Sequence, residues 1–563
     1  MQRFALTLAA AAALTSCADN FDEDLKAVQD APFLSSGGHP AATTGASPTT
    51  GTSTGADGTS GGSATGGETT GGAVATSADV GDSTTSGEVE GSSTGGALPP
   101  PAILDVDMPA KVTLAGPVQF TTTTEHTSSA RAVLDGIDLG ALKDEGNGIF
   151  SGAVAIYGSA DNGDHVLEVI AEREGLSDQR PVPFVVSAPA PGTVAWAMAG
   201  PAGSRTRRIA LTPERDVLEI GSWLIAGLQR PALRKRSGIT GAELWADGTR
   251  LLDNHEGWAT DIAVAPDGRL WVAMNVREAA NVWRPRIILL DTTGDFTGIE
   301  IPTEAGQTVS AIDNDETGGC VAVGFGASGQ GDMDVLIWRM NGDHVPILSG
   351  KAWDYQPGVW PHKFTDLATD VVVRDGVAWI VGLSSGNHDE LKDPHDRGFI
   401  MRMDIDTAGV LGPVIIAPKA GAFTQSKFFG AAAHPDGVLV TGNGCNDTCD
   451  TQRVETALYT ATGTRTWFKP EKTSATAYGV AVALNKHGGV VVAATMRDGT
   501  AQRGFLLGRV VYTQAEPFNA PFPASKENSE ASAIAIDAFD RVFGGGYRTN
   551  GGIIEARAVL AHP

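Results

Sequence analysis

From about residue 192 to the end of the chain, one pattern of apolar and polar positions recurs. A short run of small and β-branched residues meets a turn, and a second apolar run follows. Copies begin at Arg208, Asp261, Val309, Asp370, Gly430, Gly479 and Ser532. The second copy reads Asp261-Ile-Ala-Val-Ala, then the turn Pro266-Asp267-Gly268, then Arg-Leu-Trp-Val-Ala273. Turns such as Asp375-Gly376 and Pro435-Asp436-Gly437 are of the kind that tight hairpins require. A third apolar run follows most copies, at 286–291, 334–340, 398–404, 456–461, 504–511 and 554–560, and several continue through a turn into a fourth. Four short strands per unit, repeated about every 50–60 residues, predict a β-propeller of about seven four-stranded blades over 191–563. The last copy leaves room for three strands only. The stretch from Gly192 through Trp196 repeats the spacing of Gly463 to Trp467, so residues 192–199 are expected to supply the missing outer strand and close the ring without free edges.

Upstream, the pattern shortens. Runs at 103–107, 111–114, 118–123, 130–134, 149–156, 165–172 and 182–186 alternate or are β-branched, with Gly, Asp, Asn or Pro between them. Seven strands in about 90 residues predict a β-sandwich over 101–190, and the pattern resembles bacterial Ig-like modules, which implies a spacer. The fold class expected for the whole is therefore all-β, an Ig-like sandwich followed by a propeller. A low-complexity segment over 17–100 precedes them. Between 41 and 97, 15 Gly, 9 Ser, 14 Thr and 9 Ala make up 47 of 57 residues, and no aromatic residue occurs from 34 to 119. Such a stretch buries too little apolar surface to offset its ordering entropy, which predicts a disordered Gly/Ser/Thr-rich linker.

The first residues combine Arg3, an apolar run from Phe4 to Leu14, and Leu14-Thr15-Ser16-Cys17. An 11-residue run suits a signal peptide and is too short to span a bilayer. The ending resembles the lipobox of bacterial lipoproteins. That resemblance implies cleavage after residue 16, lipidation of Cys17, and a membrane anchor in the envelope of a Gram-negative bacterium. Ala18 rather than Asp after the Cys leans towards the outer membrane, on its periplasmic or surface face.

Composition narrows the function classes. Asp and Glu number 66 against 41 Lys and Arg, a formal charge of −25, which argues against nucleic acid as a partner. Aromatic residues are only 6% of the chain, so the aromatic-dense stretch holding Trp353, Tyr355, Trp360 and His362 is a candidate ligand loop. A second stretch, His388, Asp389, Glu390, Asp393, His395 and Asp396, is a weaker candidate for a divalent cation such as calcium; no other cofactor is expected. Cys445 and Cys449 are expected to form a local disulfide in an oxidising compartment, and Cys320, in an apolar strand, to be a buried thiol. Gly324-x-Gly326-x-x-Gly329 fits a dinucleotide loop in letters, but a strand pattern rather than a helix follows it. Asp261 and Asp370 occupy equivalent places and face either the channel or turn amides, the structural role being preferred. Arg234, Lys235 and Arg236, with Arg205, Arg207 and Arg208, form a basic cluster that is small against the total charge. No catalytic residue is assigned.

Together these readings predict a lipid-anchored cell-envelope or surface protein whose propeller binds a protein or polysaccharide partner without catalysis. A propeller-type polysaccharide lyase or hydrolase and a structural spacer are the alternatives. The repeat phrasing also looks like the broad group of bacterial repeat propellers, which carries fold and little about function.

Overall fold

The structure is a computed structural model that describes residues 99–562 except for 281, 328–332, 354–364, 386–395, 419–423, 447–451, 471–475, 486–487, 499–500, 511–517, 523–527 and 551–552. The stretches expected to be signal peptide, lipidation site and linker, apart from the last residues of the linker, lie outside the described residues. Apart from one 3-10 turn at Ser159–Asp161, every regular element among the described residues is a strand.

The first domain is a sandwich of two sheets. Its strands are β1 (Ala102–Asp107), β2 (Lys111–Val112), β3 (Gly116–Glu125), β4 (Ser129–Leu134), β5 (Ile137–Ala141), β6 (Lys143–Gly146), β7 (Ile149–Ile156), β8 (Gly163–Arg173) and β9 (Leu176–Val186). One sheet runs β1-β3-β7-β6 and the other β2-β9-β8-β4-β5. Phe120, Val154 and Ile156 from the first meet Ala132, Leu167, Val169 and Phe184 from the second in one core. The sequence pattern foresees seven of the nine strands. β5 and β6 escape it because they are exposed edge strands, almost every residue of which faces solvent, so no apolar alternation marks them.

Seven four-stranded sheets follow. Their first strands are Arg205–Leu211, Glu256–Val264, Gln307–Asn314, Thr365–Arg374, Gln425–His434, Thr476–Leu484 and Ser529–Ile536, one in each of blades 1 to 7. The first strands of successive blades are neighbours, and that of blade 7 returns to that of blade 1. The ring closes as the sequence implies. Val194–Ala202 pairs antiparallel with Ile553–Ala561 and becomes the outer strand of blade 7. The domain is a seven-bladed β-propeller.

Second strands read as continuous apolar runs because both faces are covered by neighbouring blades. In blade 1 every residue from Val217 to Trp223 is buried. Each neighbouring pair of blades has its own core. Trp271, Ile287, Cys320 and Trp338 fill the space between blades 2 and 3, and Trp379, Phe428, Val440 and Tyr459 that between blades 4 and 5. Cys320 is a buried free thiol whose pKa burial pushes up.

One feature recurs in every blade. The first strand carries a bulge against the second, between Thr206 and Arg208, Ala259 and Asp261, Val309 and Ala311, Ala368 and Asp370, Phe428 and Gly430, Gly479 and Ala481, and Ala531 and Ala533. Glycine in the second strand makes room for it. A Cβ on Gly221, Gly324, Gly382 or Gly442 would overlap the carbonyl oxygen of Arg205, Thr308, Leu367 or Lys427, each in the first strand beside the bulge. Gly442→Val is therefore expected to destabilise the propeller by about 1–3 kcal/mol, through overpacking against backbone that cannot yield. Chemical denaturation measures this, and an unchanged midpoint would contradict the close approach.

Candidate functional site

The bulges build the site. A bulge turns one extra residue out of the ladder and re-aims it. The seven extra residues are Arg207, Thr260, Ser310, Thr369, Phe429, Val480 and Ser532, and all seven line a single cavity of about 160 Å³. Arg205, Trp258, Thr308, Tyr478 and Glu530, all within the first three residues of their strands, line it too. The cavity therefore sits at the mouth of the channel, at the end where the first strands begin.

Its two sides differ in chemistry. Blades 3 to 6 contribute an apolar wall of Phe325, Phe429 and Tyr478, backed by Leu367 and Leu383. Blades 7, 1 and 2 contribute a basic wall with aromatic support. The Arg205 guanidinium lies 5.0 Å from the ring centre of Tyr547, and that of Arg207 lies 5.4 Å from the ring of Trp258. Stacking of this kind holds a guanidinium in place while its N–H edge still donates. Trp258 leans on Trp283 with ring centres 4.8 Å apart, and the Tyr547 hydroxyl donates to Glu530 at 3.1 Å. Among the described residues lining the cavity, Glu530 is the one carboxylate, against three arginines.

The third arginine, Arg208, makes the floor. It follows the bulge of blade 1, and Asp261 and Asp370 stand at the same place in blades 2 and 4. Its guanidinium lies 3.6 Å from Asp261 Oδ1 and 3.7 Å from Asp370 Oδ1, so it reaches across the channel axis. Arg208 lines the cavity and its two partners do not, which puts the carboxylates beneath it. Each carboxylate also ties two backbone amides. Asp261 accepts from Ile262 N–H at 2.9 Å and from Ile312 N–H of blade 3 at 3.0 Å. Asp370 accepts from Val371 at 3.0 Å and from Ala431 of blade 5 at 2.8 Å. Asp313, in blade 3, accepts from Val373 of blade 4 at 2.7 Å. The structural role expected for Asp261 and Asp370 is thus present, but the amides belong to first strands, one in the carboxylate's own strand and one in the next blade's, rather than to turns. Burial pushes Asp261 and Asp313 up to about 7 and raises Asp370 as well. Burial works against charge on Arg208, yet Asp370 and Asp261 hold it firmly protonated.

No protein-family model matches the sequence, and no curated protein matches it. Among solved structures, the chain is similar to the polysaccharide lyase Uly1, with a TM-score of 0.41, 12% identity, and coverage of 63% of this chain and 90% of that one. It is similar to an ulvan lyase of type PL25 at 0.42, 9%, 64% and 95%, and to Drosophila semaphorin 2a at 0.42, 8%, 66% and 76%. At such identities the likeness concerns the arrangement of strands alone.

The residues singled out from the sequence fall only partly among the described ones. Trp353 ends the outer strand of blade 3 and packs against Phe399 of blade 4, ring centres 6.2 Å apart, and is not among the described residues lining the mouth. Tyr355, Trp360 and His362 lie outside the described residues, as do His388, Asp389, Glu390, Asp393 and His395. Asp396 is described and receives Lys427 Nζ at 3.0 Å. Among the described residues no cluster of His, Cys, Asp or Glu could hold a metal ion. Cys445 is buried and disulfide-bonded; Cys449 lies outside the described residues. The basic cluster divides in two. Arg234 and Arg236 are buried inside blade 1, Arg236 on Glu219 and on the carbonyls of Gly241 and Ala199 at 3.0 Å each, so 234–236 is no surface patch. Arg205, Arg207 and Arg208 go to the mouth. Aligning the repeats would have found them, because Arg208, Asp261 and Asp370 head equivalent copies.

A second depression of about 500 Å³ lies on blade 2. There Asp253 accepts His255 Nδ1 at 2.6 Å and pairs with Arg286, which forks onto Glu300 at 2.9 and 2.7 Å. Its charges are matched within the protein.

Proposed function

We propose that this chain is a lipid-anchored envelope protein, carried by a linker and a sandwich spacer of Ig-like type, whose propeller binds an anionic polysaccharide at the channel mouth without catalysis. The observation that supports it is the make-up of the mouth. Among the described residues that line it, Arg205 and Arg207 stand beside one carboxylate, Glu530, in a chain of net charge −25, while Arg208 is held by Asp261 and Asp370 beneath. Aromatic rings and hydroxyl-bearing residues fill the remaining walls, the combination that suits a polyhydroxylated ring with an acidic substituent. A folded protein partner would need a contact area near 800 Å² on each side, which a cavity of this size does not by itself supply. The lipobox-like Leu14 to Cys17 supports the anchor and the outer-membrane address.

The test is thermal unfolding of the full chain in detergent with polygalacturonate, dextran and polyglutamate. Polygalacturonate is expected to raise the unfolding temperature, by an amount that shrinks as salt screens the arginines. Arg207→Gln is expected to weaken the binding at least tenfold, and no new chain ends appear. An equal response to polyglutamate would move the partner class to acidic protein. A response unchanged in Arg207→Gln would place binding away from the mouth, and new chain ends would make the protein an enzyme.

A further inference from the structure

The sandwich does more than space the propeller from the linker. We infer that it is clamped to the propeller face opposite the mouth, so that the two domains form one stiff arm, entered by the linker at one end and carrying the mouth at the other. A polymer at the mouth is then met on the side remote from the anchor. That consequence rests on the reading of the chain as lipid-anchored and of the mouth as its polysaccharide site; the clamp rests on neither.

The mouth lies where the first strands of the blades begin, so the turns between first and second strands lie on the opposite face. In blade 7 the first strand, Ser529–Ile536, has 8 residues, and at about 3.3 Å per residue it sets the two faces about 25 Å apart. The turn at its end, 537–541, carries Phe539. Tyr157 of the sandwich stacks on that ring, centres 6.2 Å apart and planes 28° apart. Arg215, from the matching turn of blade 1, lays its guanidinium 4.5 Å from the centre of the same ring. Arg541 of the turn is buried; its Nε donates to Asp537 at 2.7 Å and its Nη1 to the Gly238 carbonyl of blade 1 at 3.3 Å. A Cβ on Gly116, the first residue of β3, would stand 3.9 Å from that Nη1, so the sandwich backbone comes up to a guanidinium fixed inside the propeller.

The segment joining the domains, 187–193, is tied to each of them. On the sandwich side, Asn162 Nδ2 donates to the Ala188 carbonyl at 3.0 Å and Ala188 N–H donates to Asn162 Oδ1 at 2.6 Å. On the propeller side, Gly192 N–H donates to the His562 carbonyl and His562 N–H to that of Thr193, both at 2.9 Å. Pro189 and Pro191 between them fix two further φ angles. The chain enters the sandwich at its other end. β1 begins beside the end of β3, where Ala102 pairs with Glu125, and Ile103 N–H donates to Asp178 at 2.7 Å, near the start of β9. Gly116 pairs with Ile156, and Val186 with Gly163, at the end that meets the propeller. From Asp178 to Val186 the strand runs about 27 Å. Entry, sandwich, turn face and mouth thus follow in that order along the arm.

The experiment measures spin-label distances by double electron–electron resonance in the full chain in detergent. One nitroxide sits on Ser177→Cys, at the entry end of the sandwich. The other sits on Ala280→Cys, in the mouth-end hairpin of blade 2, or on Thr292→Cys, in the hairpin at the opposite end of the same blade; all three positions are exposed. Each pair is expected to give one narrow peak, the Ala280 pair at the longer distance. Tyr157→Ala and Phe539→Ala, which remove the stack from either side, are each expected to broaden both distributions about twofold, since domains without a firm interface move against each other. Tyr157→Ala leaves every propeller residue in place, so it reads the clamp even if Phe539→Ala lowers the propeller's unfolding temperature. Broad distributions in the parent chain, or an Ala280 pair shorter than the Thr292 pair, would overturn the arm. Unchanged widths in both variants would show that the stack is not the clamp. Narrow peaks in a chain that polygalacturonate does not stabilise would leave the arm standing and overturn the reading of the mouth.

Discussion

Replacing Arg208 with Met is expected to destabilise the propeller by about 3–5 kcal/mol at pH 8, the usual cost of removing one partner from a buried ion group. Among the described residues the guanidinium is the one positive charge beside Asp261 and Asp370, with Asp313 nearby, and all three carboxylates are already raised by burial. A carboxyl raised from near 3.9 in the unfolded chain to about 7 in the folded one binds a proton more readily when folded. Its contribution therefore favours folding at low pH and is lost as pH rises from about 4 to about 7. In the Arg208→Met protein the carboxyls rise further, so the deficit should be far smaller at pH 5 than at pH 8. The triple variant Arg208→Met, Asp261→Asn, Asp370→Asn should recover much of the loss, because neutral amides leave no buried charge uncompensated. Chemical denaturation at the two pH values measures both effects. An Arg208→Met protein as stable as wild type at pH 8 would mean that the floor is not the charge cluster described.

The second large effect concerns closure of the ring. Val194–Ala202 pairs with Ile553–Ala561, and Trp196 is buried beside Phe543 with ring centres 6.3 Å apart. Replacing Val194–Ala202 by a Gly/Ser linker of equal length would leave Ile553–Ala561 as an open edge and strip the Trp196 and Met198 side chains from the core between blades 7 and 1. Loss of the buried tryptophan alone costs about 3–5 kcal/mol, and the open edge adds a tendency to associate. The expected result is a markedly lower unfolding temperature together with multimers in size-exclusion chromatography. Trp196→Ala should show the stability loss without the multimers. A monomer with wild-type unfolding temperature would show that closure does not depend on this strand.

Much of the architecture was legible because repeats expose period and turn chemistry at once. Asp375-Gly376 and Pro435-Asp436-Gly437 mark the hairpins, and the shortage of strands after Ser532 pointed to residues 192–199. The third strand of blade 1, Leu228–Arg236, was less visible, since Arg230, Arg234, Lys235 and Arg236 mask an apolar run in which Arg234 and Arg236 are buried on Glu243 and Glu219. The site was hardest to read. Its described residues come one to four from each of seven blades, and the blades lie some 50–60 residues apart along the chain. What gathers them is a bulge, which shifts one residue out of register and leaves no apolar signature. Local density drew attention instead to the stretch from Trp353 to His362, whose one described ring packs against the neighbouring blade.

The most direct test of the account is a crystal structure of the protein grown with galacturonate. The account predicts the sugar in the mouth, its carboxylate within hydrogen-bond reach of Arg205 or Arg207, its face against Phe325 and Phe429, and Arg208 still bridged to Asp261 and Asp370 beneath it. A sugar bound elsewhere on the chain, with the mouth left unaltered, would contradict it.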